Sequence, residues 1–250
     1  YDKKNIEDNL INKKNFDVKL KNISFSYEGI DKKTLQDISI GFSSNTAIGF
    51  VGKSGSGKTT LVDVVIGLLK PSSGHIEIND KKVNIFESSQ WQRQIGYVPQ
   101  DVILNNSTIK ENIAYGVKAK DINDNKVLET ISKAQLNDFI ESLPNGINYV
   151  VRDLGKNMSG GQKQRMGIAR ALYHDPKILV LDEATGALDE NNEQKILSNL
   201  KSMIDEITII IIAHKYSTIK FCDKVFLLES GKYIGSGSPK NLLNNLDGFS

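Results

Sequence analysis

One octapeptide narrows the possibilities for this chain more than any other feature. Gly52-Lys53-Ser54-Gly55-Ser56-Gly57-Lys58-Thr59 follows a strand-like run, NTAIGFV, and opens a run with a helical apolar face, KTTLVDVVIGLL. The spacing is G-x-x-x-x-G-K-[ST], and a strand before it with a helix after it is the context that spacing needs. Glycines let successive backbone N–H groups curl around phosphates, and the helix N-terminus adds partial positive charge. On this reading Lys58 reaches the β- and γ-phosphates of a nucleotide, and the Thr59 hydroxyl ligates Mg²⁺.

The rest of the chain alternates between strand and helix signals. FDVKLKNISFSY from Phe16 and LQDISIGF from Leu35 alternate apolar and polar residues, as half-buried strands do, and HIEIND and RQIGYVPQ continue the series. KILVLD and TIIIIAH are apolar on both faces, as buried parallel strands are. Lys58 to Leu69 is expected to be helical, with Pro71 as its stop, and KVFLLESGKYIGSGS is expected to be a hairpin turning at Ser230-Gly231. Between Asp101 and Tyr149 helical pieces are broken by Asn, Gly and Pro, which indicates an inserted helical subdomain. Residues 1–15 carry charge and Asn with few apolar anchors and read as a linker. The expected fold class is an α/β core with a helical insertion.

Composition removes several classes of function. At 250 residues, 39% hydrophobic and 25% charged, the chain has enough apolar material for a core and is neither disordered nor collagen-like. A net charge of +2 gives no basic field for nucleic acid, so no nucleic-acid partner is expected. The only arginines are Arg93, Arg152, Arg165 and Arg170, and the lysines are spread along the chain as a solvated surface would have them. The single cysteine, Cys222, cannot form an internal disulfide and reads as a small buried residue. Ile207 to Ala213, the longest near-continuous apolar stretch, is far short of the roughly 20 residues of a membrane helix. The chain starts at Tyr1 rather than Met, with no signal peptide, and is expected to be a piece of something longer.

Two further segments carry chemistry. Ile178 to Glu183 reads I-L-V-L-D-E, an apolar strand delivering two carboxylates to its carboxyl edge. There Asp182 would hold Mg²⁺ through water and Glu183 would polarise an attacking water. His214, ending another apolar strand, could contact a γ-phosphate, although a lone histidine after a strand is more often structural. Met158-Ser159-Gly160-Gly161-Gln162 opens a helical stretch, and Ser159 with Gln162 has capping-box spacing. Gly160 and Gly161 at that capped terminus expose N–H groups, which makes a second anion site. One nucleotide does not need two such cradles on one chain. Two chains face to face resolve this, each γ-phosphate held between the glycine loop of one and the Ser-Gly-Gly turn of the other.

These marks together resemble the nucleotide-binding domain of ATP-binding cassette transporters, over roughly residues 16–248. They stand in that family's order: Tyr27, the glycine loop, Gln100, M-S-G-G-Q, I-L-V-L-D-E, Ala187-Leu188-Asp189 and His214. The resemblance implies a P-loop NTPase core with an N-terminal antiparallel β subdomain and a helical subdomain at about 101–175, the whole domain occupying 16–250. It implies ATP and Mg²⁺ as cofactors, with Thr59, Gln100 and Asp182 toward the metal and Lys58, Glu183 and His214 catalytic. Tyr27 would stack on adenine, and Thr60 would join the octapeptide in holding the nucleotide. Gln100 would also sense the transmembrane partner. Ser159, Gly160, Gly161 and Gln162 would meet the nucleotide bound by the opposite subunit, and Asp189 would belong to the loop crossing between the two sites.

Departures from the family pattern are Met158 for the usual leucine, Gly186 for serine and Lys215 for arginine. Where exporters carry a Gly-Glu-x-Gly-like stretch this chain has Arg152-Asp153-Leu154-Gly155, which keeps the acid and one glycine. Trp91 stands where leucine is usual and reads as packing. The resemblance implies an ATPase that dimerises around ATP and drives export or flipping through transmembrane domains on the same polypeptide, at the cytoplasmic face of the inner membrane. An importer subunit, a cassette ATPase acting outside transport, and an ATP-holding clamp without hydrolysis are the alternatives.

Overall fold

The computed structural model describes residues 15–186, 189–213 and 216–243. His214, Lys215, Ala187, Leu188 and residues 1–14 of the presumed linker 1–15 lie outside the described residues. The fold is mixed α/β, and the chain divides into two compact units: one from the described residues of Tyr1–Ile95 and Ile204–Ser250, the other Gly96–Met203.

The first unit opens with β1 (Asp17–Phe25) and β2 (Leu35–Ser43), an antiparallel pair in which Leu20 faces Ile40 and Ile23 faces Ile38. The alternation predicted from sequence holds at Val18 and Leu20, which are buried between exposed Asp17 and half-buried Lys19 and Lys21. It then breaks at a bulge where Asn22 and Asp37 both take left-handed backbone and the Asn22 amide donates to Asp37 Oδ1 at 2.8 Å. Asn and Asp tolerate that conformation better than other side chains do. β4 (Ser73–Ile78) and β5 (Lys81–Val83) complete an antiparallel sheet of order β2-β1-β4-β5.

In a second sheet, β3 (Ala47–Val51) lies parallel to both β8 (Thr208–Ile212) and β9 (Lys224–Glu229), and every residue of β3 and β8 is buried. Strands covered on both faces need no polar alternation, which is why their sequences are unbroken apolar runs. β9 turns at Ser230-Gly231, both left-handed, into antiparallel β10 (Lys232–Gly237), the hairpin expected from sequence. Trp91, in α2 (Ser89–Arg93), is buried edge-on to Phe16 and donates its indole N–H to the Val65 carbonyl at 3.1 Å. Cys222 is buried too, and desolvation pushes its thiol up to about 12, so it is an inert packing group.

Helix α1 (Lys58–Val65) is shorter than its apolar pattern suggests. Gly67 takes φ 80°, Leu68 N–H bonds the Asp63 carbonyl and Gly67 N–H bonds that of Val64. This is a Schellman stop, so the helix ends well before Pro71.

The second unit holds β6 (Ile95–Val98) and β7 (Ile178–Asp182) as neighbouring strands. Between them come α3 (Ile109–Ile113), α4 (Asp124–Lys133), α5 (Asn137–Glu141) and α6 (Gly160–Tyr173), and α7 (Glu190–Lys201) follows β7. β6 approaches α6 so closely that a side chain at Gly96 would come within 2.8 Å of the Ala171 carbonyl oxygen. The chain closes, in the first unit, with α8 (Tyr216–Phe221) and α9 (Pro239–Leu243). Among the described residues no helix is long and apolar enough to cross a membrane.

Candidate functional site

The first unit supplies the glycine loop, at the carboxyl end of β3 where it hands over to α1. Gly55 (φ 75°) and Gly57 (φ 98°) hold backbone that other residues resist. A side chain at Gly52 would come within 2.2 Å of the Leu228 carbonyl oxygen, so there the requirement is space. The loop is braced by Gly231 N–H, which donates to the Ser56 carbonyl at 3.1 Å. Lys58 is buried and bends back across the loop, donating to the carbonyls of Gly52 at 2.9 Å and Lys53 at 3.1 Å.

Two features fit this loop to an anion. Gly57, the residue at the N-terminus of α1, provides no side-chain cap, and the Ser56 hydroxyl is buried without a hydrogen-bond partner. Thr59 is exposed and Thr60 buried. Tyr27 lies beyond the end of β1, edge-on to Phe25 with ring centroids 4.9 Å apart, and its hydroxyl shares a 3.1 Å hydrogen bond with Thr60 Oγ1. An exposed ring held at two points and tied to the glycine-loop helix is a prepared stacking surface.

The second unit supplies the carboxylates. Asp182, 7% exposed, ends β7, and Glu183 follows in a left-handed conformation (φ 51°) that is uncommon for its side chain. Gly186 N–H bonds back to the Glu183 carbonyl at 3.0 Å and closes the turn. Such local strain is typical of places where a side chain must be aimed rather than packed. Gln100 is exposed just beyond β6.

The capping box foreseen at the M-S-G-G-Q segment is present: Ser159 Oγ accepts from Gln162 N–H at 3.1 Å, and Gln162 Oε1 accepts from Ser159 N–H at 2.8 Å. This satisfies Gln162 N–H and leaves the Gly160 and Gly161 N–H groups at the head of α6, the end of the helix dipole that attracts anions. Asp189 caps α7, its Oδ1 accepting from Asn192 N–H at 3.0 Å. Hydrogen bonds from the Asn192 backbone and side chain hold its carboxyl below the usual range.

Among the described residues no three metal-ligating side chains cluster. Mg²⁺ takes one or two carboxylates and completes its shell with water and phosphate oxygens, a demand that the buried Asp182 carboxylate at the end of β7 can meet. The residues present fit a phosphate-borne metal.

Two partnerships escaped sequence reading. Tyr97, in β6, donates its phenol to Asp182 Oδ2 at 3.0 Å. Arg170, near the end of α6, donates to the carbonyls of Asn112 (2.8 Å) and Ile103 (2.9 Å) and to Asn112 Oδ1 (3.2 Å), with its guanidinium over the Tyr115 ring. Asn112 is fully buried and ties down Asn105 and Ser107, so Arg170 secures the loop leading from Gln100 to α3. The only sequence signal for Arg170 was one cation inside the apolar last turns of this helix, GIARALY.

Known proteins resemble this chain over most of its length. The family model described as ABC transporter matches residues 35–186. The ATP-dependent lipid A-core flippase of Cupriavidus metallidurans is 38% identical over 228 residues, which are 91% of this chain and 38% of the flippase. An uncharacterized ABC transporter ATP-binding protein of Bacillus subtilis, YfiB, is 39% identical over 227 residues, 91% of this chain and 39% of its own length. The solved structure of a bacterial Atm1-family ABC exporter with ATP bound superposes with a TM-score of 0.86 at 34% identity, covering 94% of this chain and 41% of the exporter. The chain thus spans about two fifths of the length of the relatives it matches.

Proposed function

The chain belongs to the ABC transporter family and is an ATPase domain of it, and on that footing we propose that it binds and hydrolyses MgATP at a head-to-tail dimer interface to drive export or flipping by transmembrane domains on the same polypeptide. The observation that supports this reading is that one chain has two separate turns opening on helix N-termini, the glycine loop Gly52–Thr59, with Thr60, and the Ser159-capped head of α6, each of the kind that takes an anion. Each would serve a different nucleotide.

The chemistry is positioning and charge neutralisation, which is most of what phosphoryl transfer asks of a protein. Backbone N–H groups of Lys53, Ser54, Gly55, Ser56 and Gly57 would hold the phosphates, with Lys58 exchanging its loop carbonyls for β- and γ-phosphate oxygens. Mg²⁺, when bound, would neutralise charge between those phosphates. Thr59, Gln100 and Asp182 would face the metal, Glu183 would accept a proton from the attacking water, and His214 would steady the γ-phosphate. Tyr27 would stack on adenine. Ser159, Gly160, Gly161 and Gln162 would close on the ATP of the partner subunit, with Asp189 in the loop between the two sites.

The relatives' names and the exporter superposition support export or flipping over import. Their greater length supports an attached membrane part, with residues 1–15 as its linker and the domain at the cytoplasmic face of the inner membrane. We assign residues 101–175 to the helical subdomain, within which Ile103, Tyr115, Leu128, Val150 and Leu154 are exposed large apolar side chains.

Phosphate release tests the hydrolytic assignment. Glu183→Gln should keep ATP binding while slowing turnover by roughly 10²–10⁴-fold, the usual worth of a general base. Near-normal turnover in this variant would remove Glu183 from the role.

A further inference from the structure

The hydrogen bond from Tyr97 to Asp182 lies outside every role given above. The two residues are on neighbouring strands, β6 and β7, and the phenol oxygen stands 3.0 Å from Asp182 Oδ2. An aspartate carboxylate turns about its terminal torsion in a broad, roughly two-fold well, so a single strand does not decide which way its oxygens face. A donor fixed on the adjacent strand does decide it. It engages one oxygen and sets the plane in which the other presents its lone pairs.

Asp182 is 7% exposed, so solvent has little room to replace that donor. Tyr97 also stands only three residues before exposed Gln100, so a displacement of that segment would be felt by the phenol and through it by the carboxylate.

We propose that Tyr97 is a positioning residue for the divalent metal of the ATP site, acting by holding the Asp182 carboxylate in the orientation the metal shell requires. The inference rests on the reading of Asp182 as the carboxylate that serves Mg²⁺. Outer-shell partners of this kind typically change metal affinity by 10–100-fold when removed. Because Asp182 meets Mg²⁺ through water on this reading, the lower end applies. Phenylalanine is the informative replacement, since it keeps the ring and removes only the donor.

The experiment measures the affinity of a fluorescent ATP analogue for the chain in excess EDTA and across a Mg²⁺ titration. Wild type, Tyr97→Phe and Asp182→Asn are compared. Tyr97→Phe should bind the analogue in EDTA as wild type does, which also verifies its fold, and should need about tenfold more Mg²⁺ to reach half of the metal-dependent change.

A Mg²⁺ requirement within about twofold of wild type, with Asp182→Asn losing the metal response, would overturn the proposal and leave the reading of Asp182 intact. Weakened binding in EDTA as well would make Tyr97 a purely structural residue and also overturn it. An unchanged metal response in Asp182→Asn would overturn the assignment of Asp182 itself, and the Tyr97 proposal with it.

Discussion

Asp189 has a local task beside the distant one proposed for it. Its carboxylate accepts the Asn192 N–H and the Asn192 side-chain amide, so the loop residue is first of all the N-cap of α7. Hydrogen bonding to the charged form lowers its pKa, so its contribution to stability is complete above the unfolded value of about 3.9 and is lost as pH falls through the folded value. Asp189→Ala should therefore lower the urea midpoint at pH 7, with the deficit shrinking on acidification. Asp189→Asn, which still accepts the bond, should unfold near the wild-type midpoint and show no such pH trend. A turnover defect in Asp189→Asn at unchanged stability would then belong to the nucleotide site and not to the helix.

At the scale of elements, what could be read from sequence was whatever is encoded locally. The glycine loop, the Ser159–Gln162 capping box and the Ser230-Gly231 hairpin each depend on residues within a few positions, and each is present. The end of α1 was also local, but its signal was Gly67, which the longer apolar pattern through Leu69 obscured. Tyr97–Asp182 and Arg170–Asn112 were not legible, because their partners lie 85 and 58 residues apart and a strand tyrosine has the same pattern whether it packs or donates.

Gly96 belongs with these long-range features. Its missing side chain admits the Ala171 carbonyl of α6 and Pro176, neither of which can swing aside. Gly96→Ala should cost about 1–3 kcal/mol by overpacking, measured by chemical denaturation. Gly235→Ala, on β10 with open space around it and no positive φ, should stay within about 0.5 kcal/mol of wild type.

For the whole molecule, a near-neutral charge and, among the described residues, no helix long and apolar enough to cross a membrane say little about the proposed function. The proposed anion sites would be built from backbone N–H groups and helix termini, which a count of lysines does not register. The relatives are longer than this chain, which covers 38% of the Cupriavidus metallidurans flippase. Sharing of each catalytic site between two copies, as proposed, can be tested by complementation. Lys58→Ala disables the glycine loop and Ser159→Arg blocks the opposite cradle, so each variant alone should release almost no phosphate from ATP. Mixed, they form heterodimers in which one site carries both defects and the other carries neither. The account predicts phosphate release from the mixture that neither variant gives alone. A mixture as inactive as its components, with heterodimers demonstrated in the same sample, would contradict it.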